Sequence, residues 1–159
     1  MSYRIGIGVD FHQLQEGRDL FIGGVKIPHT KGAVGHSDAD VLLHAICDAL
    51  LGALCLGDIG VHFPDTDAAY KNIDSKILLE KAIALIRKEG YFIVNIDTTL
   101  CLQEPKIKPY TEQMRKVIAV IAGITENDIS IKATTTEQMG FVGREEGLTA
   151  HAVVLLKKV

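Results

Sequence analysis

Asp10 and His12 lie two positions apart in a run whose apolar residues alternate, so both side chains leave the same side of a strand. Two donors at that spacing can serve one metal ion. His44, inside a later helical pattern, offers a third. Two imidazoles and a carboxylate leave one position open on tetrahedral Zn²⁺, as catalytic sites do, and the same trio suits a non-haem Fe(II) triad. A plainer reading is a hydrogen-bonded polar pair at a strand end. Gly6 and Gly8, on the same side, favour the metal because they leave space for a ligand. The stripe Asp40, His44 and Asp48 shows no structural need for a histidine.

Other residues suit phosphate. His36 and Ser37 precede a helical pattern, where free backbone N–H groups and the helix dipole favour an anion. Ser37-Asp38-Ala39-Asp40 reads as a capping box with Ser37 at the N-cap. Thr134, Thr135, Thr136 and Glu137 follow a strand and offer three hydroxyls with a hard oxygen ligand for Mg²⁺ or Mn²⁺. Threonines are also ordinary strand residues. Asp58, Asp65 and Asp67 occupy a loop punctuated by glycine and proline, where solvated turns are the alternative; Lys106 sits between two prolines. No nucleophile–base pair is evident. His29, His62 and His151 lack partners at metal-binding spacing.

These residues need elements to place them. A strand is expected over 4–14, with Ile5, Ile7, Val9 and Phe11 on one face and Gly6, Gly8, Asp10 and His12 on the other. A hairpin over 21–27 turns at Gly23-Gly24, and a loop over 31–35 leads to a helix ending near Leu54. That helix presents Leu42, Ala45, Ile46 and Ala49 as its apolar face. After a loop over 57–67 come a helix from 74 or 75 to 89 and a strand over 92–103. A helix from about Pro109 to before Gly123 and strands over 129–133 and 148–156 complete the chain. The order implies one catalytic domain, 1–159, of α/β class: an α+β sandwich with a mixed four-stranded sheet, helices on one face and a small hairpin.

Composition agrees with that size. The 159 residues carry 17 Lys and Arg against 20 Asp and Glu, a formal net charge of −3, with 47% hydrophobic and 23% charged residues. Disorder is excluded, and a pI near 6.0 argues against a general nucleic-acid binder. A polyanionic substrate would need metal ions and a few local cations. No signal peptide or membrane-spanning apolar stretch is found, so the cytoplasm fits. Cys47, Cys55 and Cys101 lie in apolar runs without CxxC spacing and read as buried free thiols.

Gly8-Val9-Asp10-Phe11-His12 and His36 through His44 resemble the 2-C-methyl-D-erythritol 2,4-cyclodiphosphate synthase family. So do Leu56 to Gly60, Phe63 to Asp67, Lys132 to Glu137, Gly140-Phe141 and Gly143-Arg144, in this order. The resemblance spans the chain and implies that 4-diphosphocytidyl-2-C-methyl-D-erythritol 2-phosphate is cyclised with release of CMP. It implies Asp10, His12 and His44 as zinc ligands, with a substrate β-phosphate oxygen completing the set, and Glu137 as the ligand of Mg²⁺ or Mn²⁺. His36 and Thr135 match transition-state stabilisers. Asp58, Gly60 and the loop with Phe63, Asp65 and Asp67 match contacts to the methylerythritol phosphate. Leu102 to Lys108, including Lys106, and Thr134 match contacts to the cytidine nucleotide; Ser37 and Thr136 join the substrate contacts. Phe141 and Arg144 match positions near the threefold axis of a homotrimer whose active sites lie between subunits.

The sequence departs from the family pattern at Phe11, where valine is frequent and the strand core should tolerate the change. It departs also at Glu104, beside the nucleotide segment, and at His151, near the trimer axis. A trimeric metal-binding module without turnover is the non-enzymatic alternative, but Thr135 and Glu137, whose loss would favour it, are present.

Overall fold

In the computed structural model, which describes residues 2–159, the first alternating run forms β1, Tyr3–Glu16. Two short strands, β2 at Leu20–Ile22 and β3 at Val25–Ile27, make the expected hairpin, with positive φ at Gly23 and Gly24. The chain continues through β4, Lys31–Val34, into α1, Val41–Ala53, and a single turn α2, Ile59–His62. Next come α3, Ser75–Lys88, β5, Tyr91–Cys101, and α4, Thr111–Ala122. The last elements are β6, Ile129–Thr134, the short α5, Gly140–Gly143, and β7, Gly147–Lys158.

The main sheet has the order β4-β1-β7-β5-β6; β5 and β6 are parallel and the other neighbours antiparallel. The expected mixed sheet is therefore present, extended by β4, which replaces part of the loop expected over 31–35. Four residues containing Gly32 carry too little alternation to mark a strand; pairing with Gln13–Glu16 of β1 makes one. Leu148, Ala150, Ala152, Val154 and Leu156 of β7, with Ile96, Leu100 and Leu102, face the helices as a continuous core.

The central helix is more enclosed than an amphipathic pattern suggests. Eleven of the 13 residues of α1 are buried, because β1 and β7 cover one side and α3 and the hairpin cover others. Gly6 and Gly8 make this possible, and not by leaving room for a ligand. A Cβ at Gly8 would lie 1.9 Å from the Ala45 carbonyl oxygen, and one at Gly6 would lie 1.9 Å from that of Ala49. Helix backbone lies directly on strand backbone.

The apolar residues of β1 then point away from the core. Ile5 is 71% exposed, Ile7 67% and Phe11 57%, so Phe11 is not a strand-core residue; its ring lies 6.2 Å from that of Phe141. The cysteines are all free, but only Cys47 is buried; Cys55 is exposed and Cys101 half-buried. Among the described residues, no helix is long and apolar enough to cross a membrane.

Helix α1 also starts later than its sequence suggests. Asp40, not Ser37, is the N-cap, and its carboxylate accepts from Leu43 N at 3.0 Å, Gly23 N at 2.9 Å and Gly24 N at 2.7 Å. One buried side chain thus caps the helix and fastens the hairpin. Asp40→Ala is expected to cost about 2 kcal/mol, since it strands these N–H groups. Denaturant unfolding checks this; a midpoint equal to wild type would contradict it.

Candidate active site

The β1–α1 contact brings three donors to one point. His12 Nε2 lies 2.9 Å from Asp10 Oδ2, His44 Nδ1 lies 3.1 Å from the same oxygen, and the two nitrogens are 3.1 Å apart. A tetrahedral ion with bonds of roughly 2.0–2.1 Å spaces its ligand atoms about 3.3 Å apart, so a small widening of this triangle separates it from a coordination face. Among the described residues, this is the group of carboxylate and imidazole ligand atoms arranged to hold a metal.

Hydrogen bonding fixes which ring nitrogens are free. His12 Nδ1 donates to the Val34 carbonyl oxygen at 2.9 Å, leaving the Nε2 lone pair directed at the cluster. His44 Nε2 lies 2.9 Å from Ser75 Oγ and 3.1 Å from Ser37 Oγ, leaving Nδ1 for the cluster. Three acceptors converge, and they require either a proton or a cation. Donor set, geometry and outer partners fit a divalent ion.

The charges reinforce this. Burial alone would raise the Asp10 carboxyl, yet hydrogen bonds and charge from His12 and His44 hold it well below the usual carboxylate range. Burial would lower His12, but the bond and charge of Asp10 outweigh it and keep the imidazole above its ordinary value. A dication must therefore displace a proton that His12 holds unusually firmly. Dication affinity should fall about tenfold per pH unit as pH drops through the raised His12 value, because one proton competes with one metal. Chelator competition across a pH series checks the slope; an unchanged affinity would contradict it.

A cavity of about 410 Å³ opens onto the cluster, lined also by His36, Ser37, Gly60, Phe63 and Asp65. His36 does not stand on a helix N-terminus, because α1 begins at Val41 and is capped by Asp40 through Leu43 N. It is an exposed residue at the cavity wall, with its carbonyl oxygen accepting from Asn72 N. Asp58 caps α2 through Val61 N at 3.1 Å, and Asp48 holds Ile59 N at 2.8 Å, so both place the turn that carries Gly60. Asp67 accepts from Ala69 N at 2.9 Å and shapes the following turn. The Lys81 ammonium lies 4.9 Å from the Tyr70 ring centre and 5.9 Å from that of Phe63, pinning this loop to α3.

The nucleotide-segment residues form a separate pocket. Leu102, Gln103, Lys106, Thr134 and Thr135 line a space of about 190 Å³ at the ends of β5 and β6. Thr135 Oγ1 is 3.4 Å from Glu137 Oε1, Glu137 adopts a positive φ of 52°, and Thr136 Oγ1 donates to Met139 O at 2.6 Å. Asp10 pairs with Ala150, Ala150 with Leu100 and Leu100 with Ala133. Three strand spacings, roughly 14 Å, thus divide the two pockets within one chain. Phe141 contacts Phe11, and Arg144 forms a two-pronged ion pair with Glu146 at 2.9 and 3.0 Å. The sequence reading gave no role to Ser75, Asp38, Tyr70 or Ile73; their place depends on how α3 and its preceding loop fold back against α1.

A family model, the YgbB family, matches residues 3–157. The 2-C-methyl-D-erythritol 2,4-cyclodiphosphate synthase of Bacteroides thetaiotaomicron is 58% identical over 158 residues, covering 99% of each chain. The synthase of the same name from Chloroherpeton thalassium is 60% identical over 156 residues, covering 98% of this chain and 99% of its own. Among solved structures, the bifunctional IspDF from Campylobacter jejuni superposes with a TM-score of 0.95 at 43% identity. That match covers 99% of this chain and 43% of the longer one. A 2C-methyl-D-erythritol-2,4-cyclodiphosphate synthase in a CDP-bound form gives a TM-score of 0.90 at 36% identity, covering 97% of this chain and 100% of that one.

Proposed function

The chain belongs to the YgbB family, whose relatives here are 2-C-methyl-D-erythritol 2,4-cyclodiphosphate synthases, and from that premise we propose how its residues serve the family reaction. The enzyme is a phosphorus–oxygen lyase of non-mevalonate isoprenoid precursor biosynthesis. It converts 4-diphosphocytidyl-2-C-methyl-D-erythritol 2-phosphate into 2-C-methyl-D-erythritol 2,4-cyclodiphosphate and CMP. An oxygen of the substrate's own 2-phosphate forms a bond to the β-phosphorus; the bond from that phosphorus to the bridging oxygen breaks, and CMP leaves with the electron pair.

The observation that carries this reading is the convergence of the Asp10, His12 and His44 lone pairs at a cavity floor. These residues would hold Zn²⁺, and Glu137 a Mg²⁺ or Mn²⁺; when bound, the dications neutralise charge that opposes approach of one phosphate to another. Zinc is favoured over iron because the reaction has no redox step. The protein's own part is mostly placement. Gly60, Phe63 and Asp65 wall the space for the methylerythritol portion, Asp58 and Asp67 set the turns on either side, and Ser37 lies at the floor. His36 and Thr135 would donate to phosphate oxygens as charge shifts to the leaving group. Lys106, Leu102, Thr134 and Thr136 would hold the nucleotide, consistent with CDP in the related structure. Confining the substrate in a folded pose supplies the proximity on which ring closure depends.

The separation of the two pockets supports a homotrimer in which Thr135 and Glu137 of one subunit complete the metal cavity of its neighbour. The exposed apolar face of β1 supports assembly too, since a contiguous apolar surface of this kind marks an interface. Phe141 and Arg144 would then lie near the threefold axis. The cytoplasmic setting read from the sequence is part of the same proposal.

³¹P NMR of the holoprotein with the diphosphocytidyl substrate tests the reaction. Resonances of CMP and a cyclic diphosphate should replace those of the substrate. CMP accompanied only by an open-chain phosphate would overturn the cyclisation.

A further inference from the structure

His44 is held by more than the cluster it faces. Its Nε2 lies 2.9 Å from Ser75 Oγ, 31 residues away at the first turn of α3. Ser75 is wholly buried, and its hydroxyl donates to Asp38 Oδ1 at 2.5 Å. The other Asp38 oxygen accepts from Ser75 N at 3.1 Å, so the carboxylate holds the serine from both sides. A hydroxyl has one proton. Of the two acceptors within its reach, the Asp38 carboxylate at 2.5 Å takes that proton over the neutral Ser37 Oγ at 3.4 Å, so Ser75 can only accept from His44. The hydrogen of His44 must then sit on Nε2, and the lone pair on Nδ1 faces Asp10 and His12.

We propose that Ser75, fixed by Asp38, is a positioning residue that locks His44 in its metal-binding tautomer. This rests on the metal-site reading above. The chain of bonds from Asp38 through Ser75 to His44 does for the imidazole what a directly bonded carboxylate does for many metal-bound histidines: it orients the ring and makes its free nitrogen more basic. Ser37 cannot substitute without ambiguity. Its hydroxyl, 3.1 Å from His44 Nε2, accepts from Ala39 N but has no carboxylate claiming its own proton within the hydrogen bonds described. With Ser75 gone, Ser37 is free to donate to Nε2, moving the imidazole proton to Nδ1, where it blocks the metal.

Ser75→Ala removes the acceptor, and Ser75→Thr keeps it. Two readouts are independent of turnover: zinc affinity by competition with a chromophoric chelator, and the His44 tautomer from ¹⁵N NMR of metal-free protein at alkaline pH. Wild type should show Nε2–H. Ser75→Ala should bind zinc about 10–100-fold more weakly and show the Nδ1–H form, while Ser75→Thr should keep both properties near wild type. A wild-type His44 carrying its proton on Nδ1 overturns the proposal without any variant. So does a Ser75→Ala protein with unchanged zinc affinity and tautomer. Wild-type protein that binds no zinc would instead refute the metal-site reading itself.

Discussion

His44→Ala is expected to abolish stoichiometric zinc retention and lower turnover roughly a thousandfold, the loss that corresponds to several kcal/mol of charge stabilisation. The substitution removes one of three converging donors and leaves Asp10 and His12 as a bidentate remnant. It should not unfold the protein. His44 sits in a helix whose other buried residues are hydrophobic apart from its neighbourhood at the cluster, and alanine is a better helix former. The variant should therefore sediment as wild type does, with a cooperative thermal transition. Metal analysis after gel filtration, alongside the rate of CMP release, checks the pair of effects. Retained stoichiometric zinc would refute the ligand assignment.

Gly8→Ala is expected to act on the fold, at a cost of about 3 kcal/mol or more. The added Cβ would lie 1.9 Å from Ala45 O and 2.7 Å from Ala49 N, both backbone atoms of α1. No rotamer change relieves a contact with backbone, so the helix must move away from the strand. That movement carries His44 away from Asp10 and His12, so metal affinity should fall together with stability. Chemical denaturation and zinc competition measured on the same preparation check both. A stable Gly8→Ala protein with wild-type zinc affinity would show that the helix is not seated on the glycine.

Much of this was legible in the residues, and the rest failed for identifiable reasons. Period-two spacing places Asp10 and His12 on one face, and helical spacing places His44; the structure brings the three together. The Gly23-Gly24 turn and the start of α3 at 74 or 75 also follow from local chemistry. What alternation cannot say is which face of β1 points inward. The ordinary expectation buries Ile5, Ile7, Val9 and Phe11, but the glycine face is inside because it lets α1 approach, and the apolar face is left for another surface. Capping was misplaced because Ser37 and Asp40 are both good N-cap residues; the hairpin N–H groups that select Asp40 come from a segment 16 and 17 residues away. Ser75 stands at a helix start, which by itself marks no role. Its contact with His44 exists only when α3 lies on α1.

The charge balance also takes a narrower meaning. At −3 the chain offers no broad basic field for a triply phosphorylated substrate. Several of its acids are instead committed to local tasks, Asp10 in the donor cluster, Asp40 and Asp58 in caps and Asp38 behind Ser75. A dication held at the cluster would reverse the local sign where the proposed reaction places a phosphate.

The most direct measurement is a zinc titration of chelator-stripped protein, with bound metal and CMP release followed in the same samples and Mg²⁺ in excess. Stripped protein should be inactive, and activity should rise linearly and level off at one zinc per chain. Full turnover by stripped protein, or activity unrelated to the first bound equivalent, would contradict the role assigned to Asp10, His12 and His44.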